Sequence, residues 1–253
     1  MRLPYNLETD EAMPLKSDYD TWHRSMALTE TDQVMPLYPW HQTVLKLLPD
    51  LDGKNVLEVG CGRGDFARLL GQKYTATKIV ATDFSHSAIE AAQSKLPEIP
   101  NVSFCVADAQ NLPFDDGCFD FVISCECLEH VESPLRMMLS VARRLKREGS
   151  FVITTENYFN GMILAWIKSW LSKQPFNSGS GVQPRENFFL FWRVRRIIEK
   201  AGLKVTHMES NHFTWLLLPG FAPDRFFIKD FSNPTLKRVF RPFGRHFTYR
   251  GIK

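Results

Sequence analysis

The sequence predicts an α/β fold with a doubly wound, mostly parallel sheet, and three observations predict it. Short apolar runs alternate with helical patterns along residues 51–156, as in parallel strands joined by crossover helices. The first run ends in Glu58 and leads into a Gly-x-Gly-x-Gly turn. The next two runs end in Asp83 and Asp108. Because ligands bind at the carboxyl ends of parallel strands, the three acids predict one ligand-binding crevice at that edge.

Each predicted element has a local signal. Ser85 is a good N-cap for a helix over 86–96, and Gly149 is predicted to turn the chain into a buried strand at 151–155. The other strands are predicted at 55–59, 78–83, 102–106, 119–124, 203–209 and 247–252. The other helices are predicted at 39–49, 65–72, 134–146, 161–173 and 190–201.

The length of 253 residues suits one large α/β domain with insertions. We expect a single domain over 1–253, with a helical arm at 1–50 whose aromatic residues could cover a pocket, and a ligand-binding core at 51–156. Beyond the core the alternation breaks, and two segments are predicted as helical lid insertions, 157–192 and 214–243. The apolar stripe of the first insertion suits a lid over an apolar molecule or plain packing against the sheet.

Composition limits the choice of partners. A net charge of +3 gives no general reason to expect a nucleic acid, and we expect no DNA partner. The last 17 residues carry six bases and no acid: Lys237, Arg238, Arg241, Arg245, Arg250 and Lys253. This basic tail could meet an anionic substrate, a lipid surface or RNA, or form a solvated edge. Five cysteines without a paired spacing indicate reduced thiols, and with no secretory signal they predict a cytoplasmic protein.

The glycine turn indicates the kind of ligand. A dinucleotide-binding turn reads G-x-G-x-x-G, whereas here the third glycine, Gly64, comes one residue early and Asp65 follows it. A carboxylate at this point would repel a pyrophosphate and suits a cationic ligand with an amino-acid part. S-adenosylmethionine (SAM) is such a ligand. The alternative is a strand–turn–helix joint whose glycines only serve packing.

The acids at the strand ends extend this prediction. Asp83 lies about 20 residues beyond the glycines, where a carboxylate can accept hydrogen bonds from both ribose hydroxyls. Phe84 can pack on an adenine face. Asp108 can accept from the adenine amino group, and the Ala109 amide can contact a ring nitrogen. With Glu58, these residues form the predicted crevice.

Four segments in the right order resemble the motifs of class I SAM-dependent methyltransferases: VLEVGCGRGDFARLL, VATDFS, VADAQNLPFDDGCFDFVISCECLEHV and LKREGSFVITT. The resemblance covers residues 55–155. It implies a Rossmann-like, seven-stranded sheet with the last strand antiparallel. It also implies SAM as methyl donor and S-adenosylhomocysteine as product. By position, Gly60, Cys61 and Gly62 would line the methionine end, and Cys125 and Glu126 would lie near the methyl group.

The stretch CECLEHV, residues 125–131, is most similar to the branch that includes quinone-biosynthesis O-methyltransferases and many small-molecule methyltransferases. A hydroxyl acceptor needs a base, and His130 is the first candidate because it follows the fourth strand at the mouth of the pocket. Weaker candidates are His41, His212, Glu126 and Glu156. No metal-binding spacing is evident, so we expect no metal.

The sequence therefore predicts a SAM-dependent methyltransferase that modifies a small-molecule acceptor, and oxygen is the favoured acceptor atom. Three alternatives stay open. One is a quinone or polyprenyl-lipid O-methyltransferase with a weak contact to a membrane surface. Another is a catalytically silent SAM-binding subunit that activates a partner. The third is an RNA methyltransferase, which rests on the basic tail alone.

Overall fold

The computed structural model describes most of the chain. The described residues are 16–29, 37–95, 97–157, 159, 171, 184, 187, 189–214, 227–228, 231 and 233–253. Apart from Leu171, the predicted helix over 161–173 lies outside them, as does most of both predicted insertions. No helix of the described part is long and apolar enough to cross a membrane.

The helices are α1 Lys16–Thr29, α2 Pro39–Leu47, α3 Asp65–Lys73, α4 His86–Ser94, α5 Pro134–Arg144, α6 Phe191–Lys200 and α7 Pro234–Phe240. The strands are β1 Asn55–Val59, β2 Lys78–Asp83, β3 Val102–Val106, β4 Phe119–Cys125, β5 Leu145–Glu156, β6 Lys204–Thr214, β7 Phe227–Ile228 and β8 Gly244–Ile252. Short 3-10 turns cover Ala109–Asn111, Leu128–His130 and Arg241–Phe243.

One sheet holds all these strands in the order β3-β2-β1-β4-β5-β8-β6-β7. Strands β1 to β5 pair in parallel, and β8 is antiparallel to both β5 and β6. The predicted mostly parallel sheet with an antiparallel last strand is therefore confirmed. The two-residue β7 pairs with the outer edge of β6 and adds an eighth strand to the seven expected.

The sheet is buried on both faces, which explains why its strands read as nearly continuous apolar runs. One core cluster joins the sheet to α5 and α6 through Met137, Val141, Val194 and Ile198. The other cluster includes Val44 of α2 together with α3 residues. This double cover leaves the ends of the strands as the place for a site.

The largest boundary difference is in β5. The chain enters this strand directly after α5, at Leu145, and Gly149 lies inside it rather than before it. The register against β4 shifts between Phe119 and Phe121, and Glu148 takes a positive φ of 65°. An irregularity of this kind lets β5 begin earlier than predicted and still pair with β4. The apolar pattern of residues 134–146 predicts a helix and does not reveal this early start.

Candidate functional site

The glycine turn after β1 is fixed by backbone contacts with β2. The amides of Gly60 and Cys61 donate to the carbonyl of Thr82 at 2.8 and 2.9 Å. Gly60 has a φ of +75°, and a Cβ there would lie 2.6 Å from Cys127 Cβ. Only glycine meets both demands, so the chain passes close to Cys127 and leaves space beyond the turn.

Asp83, at the end of β2, is held by the same turn. Its Oδ2 accepts from the Gly62 amide at 2.9 Å, and its Oδ1 accepts from the Ser85 amide at 2.9 Å. Each carboxylate oxygen keeps further acceptor capacity. The carboxylate is therefore oriented before any ligand arrives.

A cavity of about 420 Å³ opens above these residues, which is within the ordinary range for small-molecule sites. Eight of the predicted site residues line it: Gly60, Gly62, Asp83, Phe84, Asp108, Ala109, Glu126 and His130. Glu58, Cys61 and Cys125 are absent from its described lining. Their direct contact with a ligand stays a prediction.

Glu58 is almost wholly buried, with 2% exposure. Burial, followed by the nearby charges of Asp83 and Asp65, raises the pKa of Glu58 to about 8. Its Oε2 has no hydrogen-bond partner among the described residues. The group is a neutral acid at neutral pH, and burial likewise raises the pKa of the Cys61 thiol, which disfavours a reactive thiolate.

The far side of the cavity is formed after β3. Asp108 Oδ1 accepts from the Gln110 amide at 2.8 Å and so caps the 3-10 turn that begins at Ala109. Phe84 is 37% exposed, and its ring meets Tyr19 edge-on with centroids 6.1 Å apart. An exposed aromatic face beside a fixed carboxylate suits a flat heterocycle.

Helix α1 covers the cavity with Lys16, Tyr19, Trp22 and His23. The Tyr19 hydroxyl donates to the His130 carbonyl at 2.9 Å. Asp20 accepts from the Ser85 hydroxyl at 2.6 Å, which ties the helix to the start of α4. The aromatic residues of the N-terminal arm predicted that the arm covers a pocket. The sequence did not show which of these residues would face the cavity.

A second group of polar residues lies where β4 and β5 end and β8 begins. Glu126 has a positive φ of 49°, and its amide donates to the Thr154 carbonyl at 3.2 Å. Its Oε2 lies 3.1 Å from His246 Nδ1. Beside this pair, Arg245 Nη2 lies 3.3 Å from Glu156 Oε1.

Burial dominates the acid–base properties of this group. It raises the pKa of Glu126 to about 8, with a further contribution from Glu156. It lowers the pKa of His246 to about 4, because a buried imidazolium is poorly solvated. These pKa values favour the neutral acid of Glu126 and the neutral imidazole of His246 at neutral pH, in contact at 3.1 Å.

The 3-10 turn after β4 carries the remaining predicted residues. Glu129 is 1% exposed, and its Oε2 accepts from the Thr155 hydroxyl at 2.9 Å. Burial, followed by the charge of Glu126, raises the pKa of Glu129 to about 8. The His130 amide donates to the Cys127 carbonyl at 3.0 Å, and His130 lines the cavity.

Comparison with known proteins shows which domains the chain resembles. Residues 57–153 match the family model described as "Methyltransferase domain". Over these residues the chain is similar to methyltransferase domains. The match runs from within β1 to within β5, and these strands and the turns between them hold the predicted SAM-site residues and His130.

Curated proteins with similar sequences are also named as methyltransferases. The chain is 30% identical over 146 residues to a demethylmenaquinone methyltransferase of Thermotoga maritima, covering 55% of this chain and 61% of that protein. It is 33% identical over 127 residues to a phthiotriol/phenolphthiotriol dimycocerosates methyltransferase of Mycobacterium tuberculosis, covering 50% of this chain and 46% of that protein. The chain thus spans about half to three fifths of the relatives it matches.

Solved structures share the fold of the methyltransferase domain over most of the chain. A SAM-dependent methyltransferase of Thermotoga maritima, described as a possible histamine N-methyltransferase, has a TM-score of 0.62 at 20% identity, with 94% of this chain and 100% of that chain covered. A Haloferax volcanii methyltransferase in complex with the activator Trm112 has a TM-score of 0.62 at 22% identity, with 94% and 96% covered. At these identities the likeness concerns the fold alone.

The residues of the methyltransferase domain fit SAM. A Cβ built on Gly62 meets its nearest described atom, His23 Cε1, only at 4.0 Å, so the turn leaves open space where a ligand can approach the backbone. The fixed Asp83 carboxylate faces the same cavity as Phe84 and Asp108. A hydroxyl-accepting carboxylate, an aromatic face and a free glycine edge are the groups that a nucleoside with an amino-acid tail needs.

Three ligand atoms, one each from Glu126, Glu156 and His246, lie within 4.8 Å of one another. The distances would admit an ion, and spacing along the sequence did not reveal this cluster. The donors are nevertheless paired within the protein, since Glu126 contacts His246 and the Arg245 guanidinium contacts Glu156. A resident cation would lie beside that guanidinium, so we interpret the cluster as an acid–base group.

The two weaker histidine candidates lie in different surroundings. His41 stacks on Phe66 with ring centroids 4.4 Å apart, and burial lowers its pKa to about 4. It is absent from the described lining of the cavity. His212 lies within β6, not beyond the strand as expected, and its side chain is outside the described residues.

Proposed function

We propose that this chain transfers a methyl group from SAM to a small-molecule acceptor, with an oxygen atom as the favoured site of methylation. One observation carries the proposal. A single cavity is lined both by the residues that suit SAM and by Glu126 and His130 at the end of β4. Donor and acceptor can therefore meet in one cavity, and methyl transfer requires this proximity because the nucleophile, methyl carbon and sulfur must be aligned.

In this proposal the chain mainly binds and orients. Bound SAM supplies an electrophilic methyl group on a sulfonium sulfur. Asp83 accepts hydrogen bonds from the ribose hydroxyls, and Gly60 and Gly62 leave room for the methionine part. Phe84, Asp108 and Ala109 contact the adenine. Helix α1 covers the cavity, and its exclusion of water strengthens every polar contact inside.

An acceptor with an apolar part is supported by the aromatic side chains that pack together near the start of β8. The Phe159 ring lies 5.4 Å from Phe243 and 5.9 Å from Trp192, between centroids. The names of the curated relatives point the same way, since one denotes a quinone methyltransferase and the other a lipid methyltransferase. The oxygen preference rests on the resemblance to the O-methyltransferase branch.

Three alternatives predict different results. A quinone or lipid enzyme at a membrane surface would bind anionic liposomes, and salt would weaken that binding. A silent SAM-binding subunit would bind SAM without turnover and would co-purify with another chain. An RNA methyltransferase is less supported, because two bases of the basic tail are engaged in contacts within the protein. Arg245 contacts Glu156, and Lys253 donates to the Leu145 carbonyl.

The decisive experiment is calorimetric titration of the purified protein with SAM and with S-adenosylhomocysteine, followed by turnover assays on phenols, quinols and carboxylic acids. Binding with turnover on any acceptor supports the proposal. Binding without turnover on the full panel favours the silent subunit. If neither compound binds, the assignment of the cavity is wrong. The cytoplasmic location stays a prediction, which fractionation of cells would check.

A further inference from the structure

We infer that Glu126 accepts the proton of the acceptor's nucleophilic group, and that His246 is the residue that positions Glu126 for this step. The inference rests on the proposed methyl transfer and adds its proton acceptor, a role that the sequence assigned first to His130. Four structural observations support it.

The backbone of Glu126 is strained. Its φ of 49° is in the left-handed region, which is uncommon for residues other than glycine. The amide of this residue is held by both the carbonyl and the hydroxyl of Thr154, at 3.2 and 3.1 Å. Such strain costs on the order of 1 kcal/mol and persists only where the surroundings impose it, most often at functional sites. Glu126 is one of the residues that line the cavity.

The carboxylate of Glu126 is satisfied on one side only. Its Oε2 contacts His246 Nδ1 at 3.1 Å, whereas the buried Oε1 has no hydrogen-bond partner among the described residues. Leaving a buried acceptor unsatisfied costs roughly 1–3 kcal/mol. An acceptor hydroxyl or amine entering the cavity would donate to Oε1 and remove that cost.

His246 is placed to act on Glu126 rather than on the acceptor. It is 4% exposed and absent from the described lining of the cavity. Its strand position is fixed by pairing with Glu156 across β5 and β8. The Trp40 ring packs against it with centroids 4.8 Å apart. These contacts leave its Nδ1 directed at the carboxylate, as an orienting residue requires.

The surrounding charges set the protonation range. The titratable and charged groups that face Glu126 are Glu129 after β4, Glu156 of β5, and Arg245 and His246 of β8. Burial raises the pKa of Glu126 to about 8. A base is most effective when its pKa lies near the working pH. The ionised, accepting form therefore increases as the pH rises through about 8.

The step balances in atoms and charge. The X–H bond of the acceptor breaks and its proton passes to Glu126 Oε1, while a lone pair on X forms the bond to the methyl carbon. The bond between methyl carbon and sulfur breaks and its electrons stay on sulfur. The positive sulfonium and the negative carboxylate become neutral S-adenosylhomocysteine and a carboxylic acid, which returns its proton to water.

The test compares four variants with the wild type: Glu126→Gln, Glu126→Asp, His246→Gln and His130→Gln. The control for the change in charge is Glu90→Gln, at an exposed position of α4. SAM affinity is measured by calorimetry, and turnover is measured on an acceptor that the wild type methylates. We expect Glu126→Gln to lower kcat by roughly 10²-fold or more while the Kd for SAM stays within about threefold. Glu126→Asp should restore part of the loss, and His130→Gln should lower kcat less.

The pH profile tests the role of His246. In the wild type, kcat/KM should rise towards a plateau above pH about 8. His246→Gln should shift the midpoint of that rise, which a purely structural role would not do. Infrared titration provides a readout without turnover. The protonated-carboxyl absorption, to which Glu58 and Glu129 also contribute, should decrease in Glu126→Gln and titrate at a different pH in His246→Gln.

Three results would overturn the inference: full activity of Glu126→Gln, an unshifted midpoint and band in His246→Gln, or micromolar Mn²⁺ binding that Glu156→Gln abolishes. The last would make the cluster a metal site. If the wild type fails to bind SAM, the proposed function fails instead, so the two failures are distinguishable.

Discussion

Replacement of Asp83 by alanine tests the assignment of the cavity most directly. The carboxylate accepts from the amides of Gly62 and Ser85, both at 2.9 Å, so its position is fixed without ligand. A hydrogen bond to a charged group contributes about 1.5–3 kcal/mol. Loss of one ribose contact should therefore weaken SAM binding by roughly 10- to 150-fold.

The assay is calorimetric titration with SAM and with adenosine. Because the lost contact is to the ribose, the affinity for adenosine should fall by a similar factor. Glu90→Ala, which removes an exposed carboxylate from α4, controls for the change in net charge. Urea unfolding checks that Asp83→Ala still folds, since two amides lose their acceptor. A folded Asp83→Ala protein with an unchanged Kd for SAM would refute the pocket assignment.

Three further predictions concern stability and the cavity cover. Gly64→Ala should lower the free energy of unfolding by about 1–3 kcal/mol in urea titration, because φ is +77° and the new Cβ would lie 2.5 Å from Phe104 Cε1. Glu129→Gln should flatten the dependence of stability on pH. The folded wild type keeps the proton of the Glu129 carboxyl up to pH about 8, whereas the carboxyl of an unfolded chain loses its proton at a pH of about 4.3. Wild-type stability therefore falls between these pH values, and denaturation at several pH values measures the slope. Tyr19→Phe removes the hydrogen bond to the His130 carbonyl and should weaken SAM binding by roughly 2- to 10-fold in calorimetry.

The sequence alone was sufficient for the positions of most strands and for the expectation that the acids at their ends meet in one crevice. Strand and helix periods, the glycine turn and the acid at each strand end are local patterns, and parallel topology brings those strand ends to one edge. Asp83, Phe84 and Asp108 could therefore be assigned to one crevice without a structure. These residues follow one another along the chain in the same order as the strands β2 and β3 at whose ends they lie.

Contacts between distant segments depended on the tertiary structure. His246 meets Glu126 across 120 residues, and Tyr19 reaches the His130 carbonyl across 111 residues. The first contact depends on the register of β8 against β5, where His246 pairs with Glu156. A shift of one residue would turn the opposite face of the strand to the site, and no local pattern specifies that register. That Asp83, Phe84 and Asp108 line one cavity was thus predictable from local sequence, whereas the contact between Glu126 and His246 was decided by long-range strand pairing.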